Sequence, residues 1–196
     1  MKSKNSAIIQ YLIENKNEEL SILAISKNLK MDYKNIYFII KRLENELLIK
    51  LEHFGQSNRV KLIPQMHPLI FEAEYNRKDE VLKNKNLAVM LKDIKSSLTS
   101  SYFILLLFGS YARKKQNKSS DIDLMFIVPA GKEKQFEREI QPAISLLPLP
   151  IHYLVFSEQE FLEMISAKEL NVGKEALKYN IILYGIELFY ELMSKN

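Results

Sequence analysis

Two carboxylates two residues apart, Asp121 and Asp123, stand at the head of an apolar run, Leu124-Met125-Phe126-Ile127-Val128. On a strand, side chains alternate between faces, so the pair points to one side. Like charges held that close repel, and a neutral core would not keep them there without a compensating cation. Hard divalent cations such as Mg²⁺ take oxygen ligands and leave their other positions to water and substrate phosphates. Upstream, a second apolar run, Tyr102 to Phe108, ends at Gly109-Ser110-Tyr111-Ala112-Arg113, and seven residues separate Arg113 from Asp121. A Gly-Ser turn lets backbone N–H groups approach an anion closely, and the hydroxyl adds a donor. Phosphate cradle and metal carboxylates together point to chemistry on a nucleoside triphosphate. The plainer alternative is a glycine turn between two core strands with an exposed acid pair.

Several elements must hold these residues in place. The run from Tyr102 to Phe108 is short, β-rich and stopped by glycine, which predicts a buried strand, and the run after Asp123 predicts another. A helix capped by Asp79 is expected to run to about Leu98, with Val81, Leu82, Leu87, Val89, Met90, Leu91, Ile94 and Leu98 as its buried stripe. A short helix from Tyr111 to about Lys114 would leave the Gly-Ser backbone at a helix N-terminus, where phosphates are favoured. Arg113, Lys114, Lys115 and Lys118 form a basic cluster in the loop that follows. A helix from Gly131 to about Leu147, with Phe136, Ile140 and Ile144 inward and a kink at Pro142, leads to a third strand, Ile151 to Phe156. Ser157 and Glu160 have the spacing of a capping box for the next helix. The tail carries Gly173-Lys174-Glu175-Ala176-Leu177 and Ile181-Ile182-Leu183-Tyr184-Gly185, then an apolar helix ending near Leu192.

The Gly109-Ser110-x-Ala112-Arg113 turn followed by Ser120-Asp121-Ile122-Asp123-Leu124 resembles the signature of the DNA polymerase β-like nucleotidyltransferase superfamily, and most closely its minimal, MNT-type members. With the tail, the resemblance covers roughly residues 80–193. It implies transfer of a nucleoside monophosphate, commonly AMP from ATP, to an acceptor that in the family is a protein, a nucleic acid or a small hydroxylated compound. It implies Mg²⁺ on Asp121 and Asp123, and nucleotide binding by Gly109, Ser110, Arg113 and Ser120. Active members usually carry a third carboxylate on the strand after the crossover helix. Here the matching position is His152, and no Asp or Glu occurs between Glu139 and Glu158. His152 replaces the base, since imidazole accepts a proton near neutral pH, or marks a site that has lost catalysis, or is a satisfied structural histidine, the usual fate of a lone His on a strand. A second departure is Lys114, where the family often has glycine.

The first third of the chain has a different pattern. Helices are expected over 6–15, from Ser21 to Leu29 and from Asp32 to about Asn45, with Ile22, Leu23, Ile25 and Leu29, then Ile36, Ile39, Ile40 and Leu43, facing inward. Leu48 to Phe54 and Arg59 to Ile63 alternate as a hairpin about Gly55-Gln56-Ser57-Asn58. This order resembles the winged helix-turn-helix superfamily, in which the third helix enters the major groove of DNA. Tyr33, Lys34, Asn35, Tyr37, Phe38 and Lys41 would face outward, with Arg59 at the wing. Tyr37 and Phe38 side by side suit a protein contact equally well. Residues 1–64 hold 11 Lys+Arg and 7 Asp+Glu, and the remainder holds 17 of each, so the net +4 lies at this end. That asymmetry favours a nucleic-acid contact there.

The 196 residues, 47% hydrophobic and 27% charged, suit an ordinary soluble protein of one large or two small domains. The absence of cysteine excludes disulfides and thiolate zinc sites, and His53 and His67 have no second ligand at metal spacing. Without a signal peptide's apolar region or a run long enough for a membrane span, a cytoplasmic protein is expected. The fold expected is α+β: a winged helix-turn-helix over 1–64, a linker over 65–79, and a small mixed-sheet nucleotidyltransferase domain over 80–196 with helices on one face. The alternative function is a DNA-binding regulator, or an antitoxin-like protein with a helical toxin-like partner, whose nucleotidyltransferase domain no longer turns over. Tyr37, Phe38, Phe189 and Tyr190 are expected to be exposed apolar residues, which allow a homodimer without requiring one.

Overall fold

The computed structural model describes residues 3–55, 57–117 and 120–195. Gln56, in the expected hairpin turn, and Lys118, in the expected basic cluster, lie outside them. The chain forms two compact units, Met1–Asn76 and Arg77–Asn196. Among the described residues no helix is long and apolar enough to cross a membrane.

In the first unit, α1 (Lys4–Glu14), α2 (Ile22–Leu29) and α3 (Tyr33–Asn45) precede the hairpin of β1 (Ile49–Phe54) and β2 (Ser57–Leu62). Each helix starts at a side-chain cap. Ser3, Ser21 and Asp32 accept from the backbone N–H of Ser6, Ala24 and Asn35, satisfying donors the helix cannot. Ile8, Ile9, Leu12, Ile25, Ile36, Ile40, Leu43 and Leu48 make the core. Leu23, expected inside, is half exposed, because it lies about a quarter-turn or more round α2 from the stripe of Ile22 and Ile25. The wing is antiparallel from Ile49↔Leu62 to His53↔Asn58, and Val60 N–H donates to the Leu20 carbonyl. This is the winged-helix arrangement.

The expected linker over 65–79 is instead largely helical, as α4 (Pro68–Val81). Pro68 occupies the first helical position, where its missing N–H costs nothing, and His67 Nδ1 accepts from Leu69 N–H in place of a Ser or Asp cap. The boundary between the units, at Asn76–Arg77, falls within α4. The helix expected from Asp79 to Leu98 is broken: α4 ends at Val81, and Asn84 caps α5 (Lys85–Ser97) by accepting from Asn86 N–H. Val89, placed in the buried stripe by the sequence, is exposed, whereas Leu87, Met90, Leu91 and Ile94 are buried.

The second unit continues with β3 (Ile104–Phe108), α6 (Gly109–Ala112), β4 (Ile122–Val128), α7 (Glu133–Ser145), β5 (Ile151–Ser157), α8 (Glu158–Ser166), α9 (Val172–Lys178), β6 (Ile181–Tyr184) and α10 (Ile186–Met193). Its described strands form a mixed sheet in the order β5-β4-β3-β6. β3 is antiparallel to β4 and β6, and β4 is parallel to β5 through the α7 crossover. Leu105, Leu107, Leu124 and Phe126 face a core shared with Leu87, Met90 and Ile94 of α5 and Phe136, Ile140 and Ile144 of α7. The alternate residues, among them Leu106, Met125 and Ile127, face the side where α8, α9 and α10 pack. Helices therefore cover both faces, not one. For the same reason Phe189 and Tyr190 are buried and offer no dimer surface. The Ser157–Glu160 capping box forms as expected, and α7 passes through Pro142.

Candidate nucleotide and metal site

The sheet brings together residues that the sequence separates. Asp123 is the second residue of β4, paired with Phe108 of β3 on one side and with His152 of β5 on the other. Gly109 follows Phe108, so the turn leaves β3 beside Asp123. Gly109 has φ +66°, and a Cβ built on it would lie 2.1 Å from Asp123 Oδ2. Glycine is required twice over, by the left-handed backbone and by a carboxylate resting on the space a side chain would take. α6 begins at Gly109 itself, two residues earlier than the sequence suggested. Asp121 precedes the strand, exposed and two positions from Asp123, and Ile122 between them is buried on the opposite side with α5 and α7.

Burial, above all, raises the Asp123 carboxyl above the ordinary carboxylate range, and the charges of Asp121 and Glu175 raise it further. His152 opposes this, with Nδ1 3.6 Å from Asp123 Oδ1, ion-pair range when the imidazole is protonated. His152 is 62% exposed, at the start of an edge strand. Such carboxylates gain from a cation. The donor set at this edge, two carboxylates with an imidazole beside them, suits a hard divalent ion that takes its remaining ligands from water or phosphate. Among the described residues no three His, Asp or Glu side chains converge as a complete metal cage.

Arg113, at the C-terminal end of α6, folds back on the turn. Its Nε donates to the Gly109 carbonyl at 3.2 Å, its Nη2 lies 3.3 Å from Glu175 Oε1 of α9, and its guanidinium is 5.7 Å from the centre of the Tyr179 ring. Glu175 and Tyr179 were not among the residues singled out from the sequence. Only the α9 fold-back brings them to Arg113, and a lone Glu on a short helix carries no local signal of that. Lys114 takes φ +55°, a left-handed conformation. Ser120 closes the loop before Asp121: its hydroxyl accepts from Asn117 N–H at 2.9 Å, and its own N–H donates to the Asn117 carbonyl.

In the first unit, Tyr33, Lys34, Asn35, Tyr37 and Phe38 are exposed on α3, with the Tyr33 and Tyr37 rings stacked at 6.4 Å and Phe38 edge-on to Tyr37 at 6.0 Å. Lys41 pairs with Glu44 at 2.8 Å. Arg59 is not the outward wing contact expected of it. Its side chain is 19% exposed and its Nη2 meets Glu19, because Arg59 bridges to Ser21 and so joins the wing to the start of α2.

Residues 91–183 match the family model described as the nucleotidyltransferase domain. The matched stretch takes in Gly109, Ser110, Arg113, Ser120, Asp121, Asp123, His152 and Glu175. No curated protein matches the sequence. Among solved structures, AF1382 from Archaeoglobus fulgidus is 15% identical, covering 43% of this chain and 91% of that one, with a TM-score of 0.35. MepR, a transcription regulator of the Staphylococcus aureus multidrug efflux pump MepA, is 18% identical, covering 50% of this chain and 81% of that one, with a TM-score of 0.34. A MepR–DNA complex, also from S. aureus, is 18% identical, covering 50% and 80%, with a TM-score of 0.33. At such TM-scores these likenesses carry no argument about what this chain binds.

Proposed function

We propose that the second unit binds a nucleoside triphosphate, ATP by preference, and transfers its nucleoside monophosphate to a hydroxyl acceptor, releasing pyrophosphate. The observation that carries this reading is the seat of the Asp123 carboxylate against Gly109, which sets one acid of the pair beside the glycine turn. The family match over 91–183 supports nucleotidyl transfer as the general chemistry.

Asp121 and Asp123 would hold Mg²⁺, which when bound offsets the charge of the carboxylates and of the triphosphate. The backbone of Gly109 and Ser110 and the Ser110 hydroxyl would bind the β- and γ-phosphates, with Arg113 balancing charge as pyrophosphate leaves. Ser120 would act by holding the loop that delivers Asp121. With its Nδ1 toward Asp123, His152 would take the acceptor's proton at Nε2. The acceptor oxygen then bonds to the α-phosphorus, and the bond from that phosphorus to the pyrophosphate oxygen breaks. Catalysis of this kind is mostly positioning and electrostatics.

The outward α3 side chains Tyr33, Lys34, Asn35, Tyr37 and Lys41 would contact duplex DNA in the manner of a winged helix. A second reading keeps that contact and drops turnover, giving a regulator or an antitoxin-like protein with a helical partner. What favours it is His152 where active relatives carry a carboxylate.

Calorimetry of ATP binding with and without Mg²⁺, on wild type and on Asp121→Ala/Asp123→Ala, tests the first reading. Binding that needs both the ion and the acid pair is the expected result. A wild type that binds no nucleotide sinks the enzyme, and steeply salt-dependent duplex binding would then carry the regulator.

A further inference from the structure

Arg113 is held by three contacts of different kinds. Two are uncharged, the Gly109 carbonyl on Nε and the Tyr179 ring face. The third is the Glu175 carboxylate on Nη2. The ion pair faces water, with the Arg113 side chain 39% and the Glu175 side chain 47% exposed. Exposed pairs are weak and exchange readily, because solvent screens them. A phosphate presents the guanidinium with the same kind of partner as a carboxylate does, and with more charge.

Glu175 itself is not on a wandering segment. α9 is capped by Asn171, whose side chain accepts from Lys174 N–H and donates to the Met164 carbonyl. Gly173 is buried so close to α8 that a Cβ there would lie 2.7 Å from Met164 Cβ. α9 therefore offers Glu175 from a fixed base, and only its side chain needs to swing.

Resting on the reading of this turn as a triphosphate site, we propose that Glu175 is a stand-in for the terminal phosphates. It occupies the Arg113 guanidinium while the site is empty and is displaced when a triphosphate arrives. The Gly109 carbonyl and Tyr179 keep the guanidinium in place through the exchange, so the incoming phosphate meets an arginine already aimed at the turn. Glu175 is in this sense a positioning residue that also competes with the ligand, and triphosphates are selected over shorter phosphates because only they reach far enough to replace it.

The test is a double-mutant cycle on the full chain, titrating ATP, AMP and inorganic triphosphate by calorimetry into wild type, Glu175→Gln, Arg113→Ala and the double variant, in Mg²⁺. Glu175→Gln keeps the shape and removes the competing charge. It should bind ATP and triphosphate about 1.5- to 5-fold more tightly, the range set by an exposed ion pair. AMP affinity should stay unchanged. In the Arg113→Ala background the Glu175→Gln gain should vanish. An equal gain in both backgrounds would mean that Glu175 acts only through its general field, and the exchange is refuted. Unchanged or weaker triphosphate binding by Glu175→Gln refutes it as well while leaving the nucleotide site standing. A wild type that binds neither ATP nor triphosphate removes both.

Discussion

Gly55 leaves β1 at φ +57° and Gly109 leaves β3 at φ +66°, two turns that ask the same of the backbone. At Gly55 an added Cβ would meet nothing within 4 Å, whereas at Gly109 it would collide with Asp123 Oδ2. The wing turn needs glycine for its dihedral alone. The site turn needs it also because a charged side chain from the next strand occupies the vacated space. Identical local signals thus separate into hairpin geometry and a built site only when the partner strand is known.

The largest effect should come from Gly109→Ala. The left-handed penalty and the collision together should cost about 2–4 kcal/mol in urea unfolding. ATP binding should vanish with it, since either Asp123 or the turn must move. Gly55→Ala should cost only about 1 kcal/mol and leave ATP binding intact. Equal losses at the two positions would break the comparison.

The smallest effect sharpens it. In the folded protein Asp123 keeps its proton to a higher pH than in the unfolded chain. Between the ordinary carboxylate value and that raised one, the folded state holds more protons, so stability falls as pH rises. Above both values the charged carboxylate is a fixed penalty. Asp123→Asn should then gain a little stability at neutral pH, kept small by the side chain's partial exposure. The gain should fade below the ordinary carboxylate range, where both forms are neutral. A variant that loses stability at neutral pH would show instead that the contact with His152 outweighs burial.

Much of this was readable from local pattern. Ser21, Asp32 and the Ser157–Glu160 box each cap the helix their spacing suggested, because capping is settled within one turn of chain. The strand that ends before Gly109 and the one that holds Asp123 are legible from two apolar runs, one stopped by glycine and one headed by acid. α4 lies in the stretch expected as a linker because Pro68 interrupts a helical pattern in sequence, although proline at a first helical position is harmless. β6 was not recognised as a strand: Ile181–Tyr184 is a short continuous apolar run, equally fit for a buried helix turn. Glu175 was missed because nothing within its own helix points to Arg113, and long-range pairing leaves no periodic trace.

His152 stands on the outermost strand with its side chain mostly in water, directly across the ladder from Asp123. The residue there is constrained by what happens next to Asp123 far more than by the sheet's packing. A single-base change turns a histidine codon into an aspartate codon. The side chain at this position can therefore change from imidazole to carboxylate in one step with little disturbance of the packing around it.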